Sequence, residues 1–177
     1  MNKQFVIVCL LGALAMLSQS GWAQRLSGPV QEVVDAEMAF AKMSRDKSTK
    51  EAFMEFLATD AVLFANGEAV NGMELWKKRP ATNGVLNWWP VFADISLGED
   101  FGYTTGPYQM SKDKDSEPFA FGYYSTVWKK NGTGEWKVAV DLGIYIEGPE
   151  EENRTIRTVR RPSGKGKKPL PSSEEDL

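Results

Sequence analysis

Along the first part of the chain the apolar positions recur three and four residues apart. After Pro29, a residue favoured at the first position of a helix, Val30, Val33, Val34, Met38 and Ala41 follow this spacing. They predict a helix that includes Glu37 and Phe40 and runs to about Ser44. Arg45-Asp46-Lys47 breaks the pattern. Ser48 with Glu51 has capping-box spacing and starts a second helix, with Phe53, Phe56 and Leu57 on its apolar side, ending near Thr59-Asp60. Ala61-Val62-Leu63-Phe64 reads as a short strand and Asn66-Gly67 as the turn after it. Asn71-Gly72 opens a short helix over Met73 to Lys78, stopped by Pro80. From Val85 the chain turns to aromatic and β-branched runs: Trp88 to Leu97, Phe101 to Met110, Phe119 to Lys129 and Trp136 to Ile146, separated by turn segments. Helices followed by long antiparallel strands predict an α+β fold, a strongly curved sheet with helices packed on one face.

The two ends differ from this middle. A basic head, an uncharged run from Phe5 to Leu17 and the small residues Gly21 and Ala23 make a secretory signal peptide over residues 1–23. The run is too short for a spanning helix, which needs about 20 apolar residues, so no membrane anchor is expected after cleavage. A periplasmic or secreted protein follows from this reading. The domain is expected over residues 28–147. Residues 148–177 alternate acidic and basic blocks punctuated by Pro, Gly and Ser, which predicts a solvated tail, disordered past about Pro162. Thr155 to Val159 is a candidate edge strand within it.

Composition narrows the chemistry. Hydrophobic residues make up 42% and charged residues 25% of the 177, ordinary values for a globular domain. The net charge of -3 offers no general field for nucleic acid. Cys9, the only cysteine, lies within the signal segment, and histidine is absent. That removes disulfides, thiolate nucleophiles, histidine bases and histidine metal sites from the mature chain. No cofactor or metal site is expected. Glycine-rich stretches lack the helix start and spacing of a phosphate loop.

The segment Phe56-Leu57-Ala58-Thr59-Asp60-Ala61-Val62, then Asn66-Gly67 with Val70-Asn71-Gly72, resembles the SnoaL-like, nuclear-transport-factor-2-like (cystatin-like) domains found in exported bacterial proteins. Trp89-Pro90, the block Gly102-Tyr103-Thr104-Thr105-Gly106-Pro107-Tyr108, and Trp136-Lys137-Val138 with Asp141-Leu142-Gly143 carry the same likeness, over about Val30 to Tyr145. The resemblance implies a cone-shaped sheet enclosing an apolar pocket. It includes isomerases, dehydratases, cyclases and plain binding or dimerisation modules, so it does not name an activity.

Strict alternation in the last strand puts Trp136, Val138, Val140 and Leu142 on one face and Lys137, Ala139, Asp141 and Gly143 on the other. Apolar residues on both faces of the sheet lead to the expectation of a homodimer through the outer face. Asp141, a carboxylate in an apolar strand, is the leading candidate base, since burial raises a carboxylate's pKa. In the ketosteroid-isomerase branch of the resembled fold, an aspartate works beside a tyrosine. Tyr103, Tyr123 or Tyr124 is the corresponding candidate phenol. Trp76, Trp88, Trp89, Tyr124 and Asp60 are candidate pocket residues. Each also has a structural role open to it: an ion pair for the carboxylates, core packing for the aromatics. Two functions remain open at this point: binding of a small hydrophobic molecule, and Asp/Tyr acid–base isomerisation or dehydration of a hydrophobic carbonyl compound.

Overall fold

The computed structural model describes Leu26, residues 28–149 and residues 153–159. The predicted signal segment and the end of the predicted tail lie outside the described residues. Helix α1 spans Pro29–Asp46 and α2 spans Thr49–Phe56. Ser48 caps α2 reciprocally: its hydroxyl accepts from the Glu51 backbone N–H at 3.1 Å and donates to the Glu51 carboxylate at 2.7 Å. Strand β1 (Leu57–Ala65), β2 (Glu68–Asn71), helix α3 (Gly72–Lys78) and β3 (Val85–Trp88) follow. The chain closes with β4 (Phe92–Ile95), β5 (Phe101–Ser111), β6 (Ala120–Lys130) and β7 (Trp136–Ile146).

The sheet runs β2-β1-β7-β6-β5-β3, with β4 also paired to β5. It is mixed, because β1 lies parallel to β7. That pairing explains why α2 ends before the predicted Thr59-Asp60. Leu57 already has extended φ and ψ of -66° and 138° and faces Val138 of β7. Asn66 and Gly67, both at positive φ, turn β1 back into β2. The predicted strand from Trp88 to Leu97 divides into β3 and β4. Pro90, which has no N–H for the ladder, is fully buried at the break. Gly106 of β5 permits the break to pass closely, since a Cβ there would lie 2.0 Å from the Trp89 carbonyl oxygen. The candidate edge strand at Thr155 to Val159 is reduced to one parallel bridge, Arg157 with Phe92.

Helix α1 lies on the inner face of the sheet. Phe40, 1% exposed, meets the rings of Phe53 at 4.8 Å, Trp88 at 4.7 Å and Trp128 at 6.1 Å, mostly edge to face. Burying such a ring contributes about 1.5–3 kcal/mol. Gly102 lets α1 approach, because a Cβ there would be 2.5 Å from a Val33 methyl.

One irregularity sets the chemistry of the inner face. Trp128 opposes Val138, but Val127 opposes Val140, so Ala139 is an extra residue in β7. The bulge overturns the strict alternation expected from sequence. Val138 and Asp141 both face inward, while Val140 and Leu142 face outward with Val127 and Ser125.

Candidate functional site

Helices α2 and α3 do not close completely on the inner face. Between them and β3, β5, β6 and β7 lies a cavity of about 490 Å³. Its walls include Phe53, Leu63, Leu75, Trp76, Leu86 and Trp88. Tyr124 and Asp141 form its polar floor, and Lys50, Arg79 and Thr82 stand at its rim. This volume and mix of apolar walls with few polar groups suit a small ligand.

The floor is built by register. Thr126 of β6 opposes Asp141 of β7, and Tyr124 opposes Gly143, so the Tyr124 and Asp141 side chains share a face as diagonal neighbours. Thr126 Oγ1 donates to Asp141 Oδ2 at 2.9 Å. Burial pushes the Asp141 carboxyl up to about 7; the Thr126 bond opposes this and the nearby Glu37 adds to it. Tyr124 is buried and its hydroxyl has no hydrogen-bond partner. Thr104 lies close enough to act on that phenol, but its own proton is committed to Glu37. Burial, with Glu37 nearby, holds the Tyr124 phenol well above its usual range, so it stays a neutral donor.

Behind this floor stands Glu37, which the sequence reading placed only as part of α1. It is fully buried. Trp88 Nε1 donates to Oε1 at 2.5 Å and Trp128 Nε1 to Oε2 at 2.9 Å, and the Thr104 hydroxyl also donates to Oε2. Burial raises its pKa, opposed by these donors and by Thr126. Indole N–H groups only donate, so this nest is shaped for an ionised carboxylate. Thr126 therefore stands between the buried Glu37 carboxyl and the half-buried Asp141. Such a pair holds one negative charge more readily than two, and its protons titrate as a unit. Glu37 has the more donors, and its proximity adds to the burial that raises the Asp141 pKa. The signal for Glu37 was present in the sequence, since an acidic residue sits between Val34 and Ala41 on a buried helix stripe.

The other candidates fall elsewhere. Trp76 and Trp88 line the cavity, with the buried Trp76 Nε1 unpartnered. Trp89 is buried outside it, donating to the Asn153 carbonyl at 3.2 Å beneath the Arg154 guanidinium. Tyr103 and Tyr123 belong to the opposite face of the sheet from Asp141; the Tyr103 hydroxyl bonds Ser125 at 3.0 Å. The phenol brought to Asp141 is that of Tyr124. Asp60 is exposed and paired with Lys129 at 2.7 Å, and that bond lowers its pKa. Among the described residues no cluster of three or more acidic groups is placed to hold a metal, and no helix is long and apolar enough to cross a membrane.

No protein-family profile and no curated protein matches the chain. Solved structures do. A protein of unknown function with a cystatin-like fold from Nostoc punctiforme is 17% identical with a TM-score of 0.50, over 66% of this chain and 90% of that one. A nuclear-transport-factor-2-like protein with a cystatin-like fold from Novosphingobium aromaticivorans is 11% identical at 0.52, over 67% and 82%. A ketosteroid-isomerase-like protein from Erwinia carotovora atroseptica is 13% identical at 0.51, over 70% of this chain and all of the other. At such identities the likeness speaks for architecture alone. Helices on a curled, open sheet with these neighbours show that the chain has the cystatin-like fold shared by nuclear-transport-factor-2-like proteins.

Proposed function

We propose that the protein binds a small hydrophobic molecule carrying a hydrogen-bond acceptor in the cavity above Tyr124 and Asp141. The observation that carries this is a roomy apolar cavity whose floor holds an unpartnered phenol beside a carboxyl that burial pushes up to about 7. Bringing an acceptor to the Tyr124 hydroxyl satisfies a buried group whose isolation costs about 1–3 kcal/mol. Trp76 and Trp88 in the walls make intrinsic fluorescence a direct readout. Titration with hydrophobic ketones is expected to give a saturable fluorescence change and a raised Tm, both lost in Leu86→Trp, which fills the cavity. A flat response across such compounds removes the proposal.

A second reading, acid–base isomerisation or dehydration, is favoured by Asp141 and Tyr124 sharing one cavity. Once ionised, Asp141 takes a proton next to the ligand carbonyl while Tyr124 donates to the carbonyl oxygen, a division of labour between base and electrophile. Its test is solvent deuterium exchange at the α-carbon of a bound ketone. The expected exchange falls by about 100-fold or more in Asp141→Asn; exchange equal in the variant leaves binding alone.

Two further parts of the reading concern the setting. We infer export, with the mature chain beginning at Gln24, which N-terminal mass spectrometry of secreted or periplasmic protein checks. We also infer that a second copy covers the outer sheet face, where Phe64 is 52%, Ile144 58% and Leu142 36% exposed. A monomeric mass in light scattering at micromolar concentration rules this out.

A further inference from the structure

The cavity has two chemically different ends, and the acidic floor is only one of them. At the rim, the Arg79 guanidinium lies 4.6 Å from the centroid of the Trp76 ring, one of the cavity walls. Lys50 Nζ donates to the Lys77 carbonyl at 3.3 Å and to the Arg79 carbonyl. Neither cation meets a carboxylate among the described residues, whereas Lys42, Lys77, Lys129, Lys130 and Lys137 each do. Glu74, the acidic residue of α3, is already paired with Lys77. Burial and Glu37 raise the Asp141 pKa and the Thr126 bond opposes them, with neither rim cation among these influences. The two ends lie on one cavity with apolar walls between them.

We propose that the ligand of this cavity is an amphipathic carboxylate, its anionic group held at the rim by Arg79 with Lys50, and its apolar body on Phe53, Leu75 and Trp76. The proposal rests on the reading that the cavity binds a small hydrophobic molecule. Three considerations select this class. The floor already holds two acidic groups, Glu37 and Asp141 on either side of Thr126, so an anionic group is favoured at the opposite, cationic end. Lys50 is partly engaged in neutralising the C-terminal carbonyls of α3, which leaves Arg79 as the principal anion partner. The Trp76 ring holds the Arg79 guanidinium at the rim, and its planar fork matches a carboxylate with two parallel hydrogen bonds.

The test compares naphthylacetate with naphthylacetamide, which share an apolar body and differ in charge. Calorimetric titration of the full mature chain at low salt is expected to show the acid binding about tenfold more tightly than the amide, as one charge-assisted bidentate contact allows. In Arg79→Gln that preference disappears while the amide affinity stays within about twofold; Arg79→Lys keeps part of it. Raising the salt weakens the acid and not the amide. Equal affinities in the wild type, or a preference that survives Arg79→Gln, overturns the carboxylate assignment and leaves binding by the cavity intact. If neither these compounds nor neutral ketones bind, the cavity reading fails and the assignment with it. Arg79 is exposed, so an unchanged Tm of the unliganded variant separates loss of contact from loss of fold.

Discussion

Strands β6 and β7 carry two environments on one face. At one end Trp128 and Val138 are sealed beneath α1, and a carboxyl from that helix, Glu37, is met by two indoles and a hydroxyl. At the other end, one strand-width of side chains away, Tyr124 and Asp141 open on a cavity, and Asp141 has one hydroxyl donor. Both carboxyls are pushed up by burial. What separates them is the number of donors supplied. A well-furnished nest makes a structural anion, and a sparsely furnished one makes a group that holds or releases a proton near neutrality.

The largest effect is expected from removing the furnished end. Glu37→Gln puts an amide N–H₂ against a nest of donors, of which only Trp128 Nε1 has a second acceptor, Thr104 Oγ1 at 3.2 Å, and should destabilise the fold by about 2–4 kcal/mol in urea denaturation. It should also lower the Asp141 pKa, because Glu37 is one of the influences raising it.

Asp141→Asn is expected to act in the opposite direction. Asp141 binds its proton more tightly folded than unfolded, so wild-type stability falls as pH rises from the ordinary carboxylate value near 4 through about 7. Asn keeps the acceptor for Thr126 and has no charge to bury. Above about pH 7.5 the variant should be more stable by about 1–2 kcal/mol, with its pH slope in that window flattened. At about pH 4 the two should coincide. A Tm series over this range checks both; a variant that tracks the wild type throughout means Asp141 is solvated.

Tyr124→Phe should change least. It removes a buried hydroxyl without a bond, so stability is expected to rise by about 1 kcal/mol, the low end of the cost of such a group, while affinity for ketones drops about fivefold. A loss of more than about 2 kcal/mol would place the hydroxyl in the Glu37 network instead.

Much of this architecture was legible in the residues. Helix caps at Ser48 and Asn71, the Asn66-Gly67 turn and the aromatic-rich strands β5 to β7 speak through local chemistry, and the structure has them where that chemistry puts them. The parts that were not legible depend on partners distant in sequence. The end of α2 is set by β7, roughly eighty residues later, and the division of β3 from β4 by a close pass over Gly106. Among site residues, Asp141, Tyr124, Trp76 and Trp88 were readable because polar or flat groups stand in apolar runs. Trp89, Asp60, Tyr103 and Tyr123 were equally plausible in one dimension. Face and pairing, which only the assembled sheet defines, put them elsewhere. Glu37 went unread because one charged residue on a helix looks like surface until Trp88, Thr104 and Trp128 are known to converge on it.

The extra residue Ala139 works on β7 as a frame shift works on a message. Upstream of it, inward positions follow one phase; downstream they follow the other, and Asp141 belongs to the second. Loss of that single residue would make the strand regular and leave Val140 opposite Val127 and Asp141 opposite Thr126, still facing the cavity. Loss of Ala139 together with Val140 would put Asp141 opposite Val127, on the outer face. Tolerance to deletion along this strand is therefore expected to alternate with length. An ungapped comparison of β7 with a relative lacking the bulge would align a cavity aspartate with an outward-facing residue.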